Sequence, residues 1–243
     1  MEEHATWVSE AVNSLAAMVA GMLGYPIPAG HGIIPQPVVM ALVVMIILLA
    51  LSLYLRRNLS VDQPGGLQQS IELFFEIIQS LMRDMIGPHS ERYFPLIAGL
   101  GLFILTSNWL GMVPGFVSPT ANLNCTVALA VCSFFYYNYQ GVRSQGVLPY
   151  LKHLCGPVIW LAPLLFAIEI VSHLARPFSL SVRLFGNIYA EEMIVNTLNN
   201  SIFPFFTSLP VMFLALLLST IQAGIFMVLS MVYIGGAVEE SHH

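Results

Sequence analysis

The sequence has few charged residues. Only 9% of its 243 residues are Asp, Glu, Lys or Arg, and 57% are hydrophobic, whereas soluble domains carry about 25% charged residues. This composition excludes an ordinary soluble domain and indicates an integral membrane protein in a lipid bilayer. The basic residues form no tract that would bind nucleic acid, so the sequence predicts no nucleic-acid partner.

The sequence is also poor in the motifs of enzymes and metalloproteins. Its cysteines form no C-x-x-C pair, and Cys125 and Cys132 lie seven residues apart on one predicted helix face, where we expect them to pack. Neither G-x-S-x-G nor H-E-x-x-H occurs, which argues against an intramembrane hydrolase that pairs His173 with a carboxylate. We therefore expect no catalytic residue, no metal site and no cofactor.

What the chain does have is long hydrophobic runs. Residues 38–55 are apolar over helix-spanning length, and Arg56 and Arg57 at their end mark the cytoplasmic side, so we expect the N-terminus outside. Residues 93–113 and 125–139 predict two further crossings. The second of these ends in an aromatic group that is typical of an interfacial belt.

Two later segments are too long for a simple crossing. Residues 158–199 number about forty, and at about 1.5 Å per residue such a helix exceeds a hydrocarbon core of about 30 Å. It must tilt strongly, break, or lie partly in the membrane plane, and Pro163 and Pro177 favour bends. Residues 211–234 are also overlong and contain one conspicuous polar residue, Gln222. Together the two segments predict a helix hairpin.

The predicted fold is an all-α membrane protein with about five transmembrane helices, interfacial amphipathic helices and a long C-terminal hairpin. A helical apolar period with interspersed charges favours a helix in the interface at residues 67–87, a soluble hairpin helix being the alternative. The predicted segments are an N-terminal interfacial or extracytoplasmic segment at 1–36, transmembrane helices at 37–157, the hairpin at 158–238 and a cytoplasmic tail at 239–243.

Charged residues within 166–196 stand out against their apolar background. A charge at the centre of a membrane helix costs about 2.5–3.5 kcal/mol, so its default interpretation is functional. At about 100° per residue, most of these side chains share one stripe, which should face a neighbouring subunit or a water-filled cavity, while Glu192 points away from it. The stripe contains Glu169, His173, Arg176, Arg183, Asn187 and Glu191.

The motif that contains this stripe resembles a known family. The run R-P-F-S-L-S-V-R-L-F-G-N-x-x-A-x-E, which begins at Arg176, is similar to that of subunit a of the F-type ATP synthase. Supporting matches are the downstream stretch STIQAGIFMVLSMVYI, the acidic tail and the stretch from Asn108 to Pro114. The resemblance implies a stator subunit whose steeply tilted C-terminal hairpin wraps against the rotating c-ring.

The resemblance also implies two offset aqueous half-channels, each reaching part-way across the membrane. Rotation of c-ring carboxylates past Arg183 would connect them, and that permanently charged side chain would pair with each carboxylate and block direct proton flow. Gln222 is expected close to Arg183 from the partner helix. Asn187 and Ser179 are expected either to orient the arginine or to bond within the hairpin.

The remaining acidic residues are candidates for the half-channels. Glu192 matches the family's acidic residue of the outer half-channel. Some relatives place a histidine where this chain has Ala215 and a small residue where it has Glu191, so we expect Glu191 and Glu192 to share the outer relay. Glu169 and His173 are candidates for the inner half-channel, although a histidine hydrogen-bonded within the bundle explains His173 equally well.

The expected partners are the c-ring, the b subunits of the peripheral stalk and the lipid bilayer. The expected location is a bacterial plasma (inner) membrane, and no enzyme activity is expected of the chain on its own. The alternative is a self-contained ion channel or secondary transporter whose own pore is lined by the charged stripe. Such a protein would conduct ions when reconstituted alone, whereas a stator subunit needs its ring.

Overall fold

The computed structural model describes residues 9–14, 18, 34–60, 64–88, 90–113, 116–147, 162–199 and 204–238. These residues are almost wholly helical and contain no strand, which confirms the predicted all-α class. The long helices are α1 (Gln36–Asn58), α2 (Gly66–Ile86), α3 (Phe94–Gly111), α4 (Leu123–Gln145), α5 (Ala162–Asn199) and α6 (Pro204–Val238). Short 3₁₀ turns at Ser90–Tyr93 and Pro119–Ala121 precede α3 and α4.

Four of the described helical stretches are long and apolar enough to cross a membrane. They are Gln36–Asn58, Ser90–Gly111, Leu164–Val195 and Leu209–Val238. Their length and composition confirm the prediction of an α-helical membrane protein. Helix α4 is 23 residues long but is not among these four, so the fifth predicted crossing, at residues 125–139, stays a prediction.

Helix α2 forms where the sequence predicts an amphipathic helix. Its buried positions include Ile78 and Met82, one turn apart, while Glu72 and Glu76 are exposed. The helix ends at Gly87, whose φ of 97° lies in the left-handed region that favours glycine and lets its N–H bond to the carbonyl of Arg83. The location of α2 in the membrane interface stays a prediction.

Helices α5 and α6 account for the two overlong segments. They contain 38 and 35 residues, so α5 extends over about 57 Å. Pro177 lies inside α5 and Pro210 inside α6, and each removes one backbone hydrogen bond without ending its helix. Helix α5 is therefore continuous through Pro177, so the break that was one of the expected alternatives does not occur at this residue.

The chain divides into two compact units. The first unit comprises Met1–Arg57, Phe103–Cys125 and Phe185–Thr220, and the second comprises Asn58–Leu102, Thr126–Leu184 and Ile221–His243. The second unit contains a hydrophobic core to which α2, α3, α4 and α6 contribute. Its buried members are Ile78, Met82, Tyr93, Ile97, Ala98, Tyr137, Met227, Met231, Ile234 and Ala237.

Several predictions from the sequence fall outside the described residues. Of the weakly amphipathic N-terminal segment within 1–36, residues 9–14 are helical, and most of the remainder is not described. Cys155 and the predicted tail at 239–243 also lie outside the described residues. Of the two described cysteines, Cys125 is partly buried and Cys132 is exposed.

Candidate functional site

The first unit holds two adjacent carboxylates in one hydrogen-bonded arrangement. Glu191 Oε2 accepts a hydrogen bond from Ser219 Oγ on α6 at 2.8 Å. Glu192 Oε1 accepts one from the backbone N–H of Ser118 at 3.3 Å. Because neighbouring residues on a helix point about 100° apart, the two acids of α5 bond to different elements. Glu192 lies off the charged stripe of α5, and its partner, the backbone N–H of Ser118, is accordingly different from that of Glu191.

Four residues, here called the hydroxyl–amide chain, connect these two contacts, namely Ser118, Thr120, Asn108 and Ser219. Asn108 Nδ2 on α3 donates to the carbonyl of Ser219 at 3.2 Å. Thr120 Oγ1 donates to Asn108 Oδ1 at 2.6 Å, and Ser118 Oγ lies 2.7 Å from Thr120 Oγ1. All four residues are buried and none carries a charge.

The local sequence explains how the loop before α4 reaches Glu192. Ser118 is extended and precedes the 3₁₀ turn, whose first residue is Pro119. Proline fixes φ at the start of the turn and donates no hydrogen bond there. A Cβ atom at Gly111 would lie 2.5 Å from the Cβ atom of Ser118, so the end of α3 approaches this loop too closely for a larger residue.

Glu191 is only partly satisfied by its neighbours. Its Oε1 atom is buried and has no hydrogen-bond partner within the described part of the chain. A buried ionised oxygen without a donor is costly. Ser107 Oγ is likewise buried without a partner among the described residues.

The second unit contains a different arrangement around Glu169. Glu169 Oε1 lies 3.8 Å from His173 Nδ1 and 4.0 Å from Arg176 Nη2. The guanidinium of Arg176 lies 5.2 Å from the ring centroid of Tyr233. The rings of Tyr137 and His173 meet edge to face at 6.2 Å. The side chain of Glu169 is 36% exposed.

The remaining predicted site residues differ in their burial. Arg183, Asn187 and Ser179 are exposed on α5, whereas Gln222 on α6 is only 2% exposed. Arg183 makes no hydrogen bond or ion pair with any residue that the structure describes. The expected proximity of Gln222 to Arg183 therefore stays a prediction.

Several residues of the two clusters were not singled out from the sequence. Ser118, Thr120 and Ser219 are hydroxyl residues in apolar surroundings, and only the downstream stretch that contains Ser219 was noted as a family match. Tyr137 belongs to the predicted aromatic belt, yet it is buried and contacts His173. Within the described ranges, no three His, Cys, Asp or Glu side chains group together in a way that would hold a metal ion.

Long apolar helices with ionisable side chains along them define a class, the α-helical membrane proteins whose polar residues serve a pathway or a partner subunit. Residues 38–235 match the family described as ATP synthase A chain, and the chain belongs to this family. The family prediction is thereby confirmed, and the chain is a membrane component of the Fo sector of an ATP synthase complex.

Named relatives have similar lengths and sequences. ATP synthase subunit a 1 of Syntrophotalea carbinolica is 46% identical over 202 residues, which cover 83% of this chain and 85% of the relative. ATP synthase subunit a of Syntrophobacter fumaroxidans is 46% identical over 200 residues, covering 82% and 83%. That of Geobacter sulfurreducens is 46% identical over 179 residues, covering 74% and 77%.

Proposed function

We propose that this chain conducts protons as the stator subunit that faces a rotating ring of c subunits. Two offset aqueous half-channels would each reach part-way through the membrane, and ring carboxylates would carry protons between them. Family membership and two separate acidic clusters support this function. It requires no enzyme activity of the chain itself.

The exposed, unpaired guanidinium of Arg183 is the observation that carries the proposal. This group stays charged at any biological pH, and among the described residues none pairs with it. A charge in an apolar helix is stable only with a partner or with water. A ring carboxylate would be that partner, because a charge-assisted pair is strong where water is scarce.

Pairing with Arg183 would also make the proton path indirect. A ring carboxylate must release its proton before it can pair, and the permanent positive charge repels a proton that approaches directly. Ser179, one turn before Arg183 on the same face of α5, is exposed and small, which favours close approach of a ring helix. We assign Gln222 and Asn187 to support of the arginine.

We assign the outer half-channel to Glu191 and Glu192 and the inner half-channel to Glu169 and His173. Two half-buried acids with neutral hydrogen-bond partners support the outer assignment. Partial exposure of Glu169 beside an ionisable imidazole supports the inner one. The assignment assumes an external N-terminus and a cytoplasmic C-terminus, as the arginines after residue 55 indicate.

The proposed surroundings are a bacterial plasma (inner) membrane, a c-ring against the C-terminal hairpin and b subunits of a peripheral stalk. Exposed apolar side chains on α1 support contacts with lipid or with another membrane subunit. They include Leu42, Met45, Ile46, Leu49 and Leu53.

Replacement of Arg183 by alanine in the whole complex tests the proposal. Arg183→Ala should reduce ATP synthesis driven by a proton gradient by about a hundredfold or more, because a paired charge in low dielectric is lost. The control is Arg92→Ala, which removes an exposed arginine from the 3₁₀ turn before α3. Retained synthesis in assembled Arg183→Ala complexes would refute the assigned role.

Reconstitution of the chain without a ring separates the stator from a self-contained channel. The proposed stator should show no proton conductance above that of empty liposomes, because neither half-channel crosses the membrane. Conductance that Glu192→Gln abolishes would establish the channel instead.

A further inference from the structure

Ser219 makes two short contacts with a single hydroxyl hydrogen. Its Oγ atom lies 2.8 Å from Glu191 Oε2 and 2.7 Å from the carbonyl oxygen of Ala215. A serine hydroxyl can donate one hydrogen and accept others. Two well-formed hydrogen bonds at these distances therefore need a second hydrogen, and a carbonyl oxygen cannot supply it.

A protonated Glu191 would supply the missing hydrogen. If the proton is on Oε2, the carboxyl group donates to Ser219 Oγ, and the hydroxyl donates to Ala215 in turn. Both contacts are then satisfied. If Glu191 is ionised, the hydroxyl must turn to donate to Oε2 and must release Ala215. That release costs little, because in an α-helix the carbonyl of Ala215 also accepts the backbone N–H of Ser219.

We propose that Ser219 is a positioning residue for proton transfer at Glu191, and this inference rests on the outer half-channel assigned above. The hydroxyl hydrogen points to Ala215 while Glu191 is protonated and turns to Glu191 when the proton leaves. In that step the Oε2–H bond of Glu191 breaks and the proton passes to water in the half-channel. Ser219 keeps its own hydrogen throughout.

The described surroundings of Glu191 provide few hydrogen-bond donors other than the hydroxyl of Ser219. Its other carboxyl oxygen is buried without a partner within the described part of the chain. Glu192 is the adjacent ionisable group on α5, and it accepts a hydrogen bond from the backbone N–H of Ser118. Among the described residues, the hydrogen-bond partners of the two acids are both neutral, namely the hydroxyl of Ser219 for Glu191 and the backbone N–H of Ser118 for Glu192. Ser219 is therefore the donor that stabilises the Glu191 anion.

Thr220 provides a matched control on the same helix. Its Oγ1 atom donates to the carbonyl of Leu216 at 2.7 Å, four residues back, as Ser219 does to Ala215. It also accepts a hydrogen bond from Trp109 Nε1 at 3.1 Å. No carboxylate takes part in either contact. Thr220 thus makes the same hydrogen bond to the backbone as Ser219 but contacts no carboxylate that the structure describes.

ATP-driven proton pumping by the reconstituted complex is the first measurement. Ser219→Ala should pump about tenfold more slowly, because a hydrogen bond to the ionised carboxylate is lost. Ser219→Thr keeps the hydroxyl and should pump within about twofold of the original rate. Thr220→Val removes the neighbouring hydroxyl at constant shape and should also stay within about twofold. Slow pumping by Ser219→Thr would overturn the proposal. So would a Thr220→Val variant that pumps as slowly as Ser219→Ala.

Infrared difference spectroscopy between acidic and neutral pH is the second measurement. The C=O band of protonated Glu191 is identified by its absence in Glu191→Gln. In Ser219→Ala it should move to higher frequency, since the carboxyl O–H loses its acceptor, and Ser219→Thr should restore it. An unmoved band, or a moved band with unchanged pumping, would overturn the role of Ser219. The band reports the contact between Ser219 and Glu191 independently of Arg183. The test of this contact therefore remains valid even if Arg183→Ala retains coupled synthesis and the proposed function is wrong.

Discussion

The two units of the chain hold their acidic residues in opposite ways. In the first unit, Glu191 and Glu192 are bonded by neutral groups, a hydroxyl and a backbone N–H. In the second unit, Glu169 lies beside an imidazole and a guanidinium at 3.8 and 4.0 Å. One site therefore stabilises its acids by directed hydrogen bonds and the other by nearby charge.

This difference has a consequence for proton exchange. A neutral hydroxyl can serve a carboxylate as donor and a carboxylic acid as acceptor, so it accommodates both protonation states. A guanidinium can only donate, and it favours the ionised form. The partner of Glu191 in the first unit is thus suited to both protonation states of that acid. In the second unit, by contrast, a cationic donor lies beside a partly exposed acid.

Among changes to the two acidic sites, removal of the acids from the first unit should produce the largest effect. Glu192→Gln should slow proton flow by about a hundredfold, because amide groups cannot relay protons as carboxyl groups do. Glu191→Gln should have a smaller effect if the family correspondence of Glu192 holds. Proton flux into liposomes that contain the whole complex provides the measurement. Equal losses in the two variants would indicate a shared relay.

Interruption of the hydroxyl–amide chain should have an intermediate effect. Thr120→Val leaves Asn108 Oδ1 without its donor, which should lower the free energy of unfolding by about 1–3 kcal/mol and slow proton flow by about tenfold. Thermal unfolding in detergent and proton flux test the two effects separately.

Ser133→Ala is the control for Thr120→Val. Its hydroxyl is buried 3.1 Å from that of Ser230 in the second unit, with no carboxylate in the contact. It should lower stability by about 1 kcal/mol without slowing proton flow. A slow Ser133→Ala variant would mean that buried hydroxyl groups affect flow only through stability.

Neutralisation of Glu169 should have a smaller effect than either change in the first unit. Glu169→Gln should slow proton flow by about threefold, because water reaches this site and can replace part of its function. The control is Glu76→Gln, which neutralises an exposed acid on α2 of the same unit and should leave flow unchanged. A loss as large as that of Glu192→Gln would contradict the contrast between the units.

The smallest expected effect concerns the contact between Arg176 and Tyr233. Arg176→Lys keeps the charge but replaces the planar guanidinium that lies over the ring. We expect a loss of about 0.5–1 kcal/mol and a melting temperature lower by about 2 °C. Arg57→Lys, at the exposed end of α1, serves as the control. An equal shift in both variants would mean that the ring contact contributes nothing specific.

The sequence predicted the helices well because apolar length and helical period are local properties. The predicted run 38–55 became Gln36–Asn58, and the predicted amphipathic helix 67–87 became Gly66–Ile86. The outcome at Pro177 was not predictable, since neighbouring structure decides whether a proline bends, breaks or only weakens a membrane helix.

The candidate site was predictable only in its charged residues. A carboxylate in an apolar helix is conspicuous because it is costly. A hydroxyl is not, since serine and threonine commonly bond to the carbonyl four residues back, as Ser219 and Thr220 both do. Which of the two meets a carboxylate depends on helix packing, which no local pattern of the sequence encodes.

The hydrogen bond between Ser118 and Glu192 also bears on biosynthesis. These residues lie 74 positions apart, and Asn108 lies 111 positions before its partner Ser219. As the ribosome adds residues in order, the loop before α4 is made well ahead of the acids of α5. The donor for Glu192, the backbone N–H of Ser118, is therefore already present in the nascent chain when Glu192 reaches the insertion machinery. The side chain of Asn108, in contrast, can bond to Ser219 only after α6 has been made.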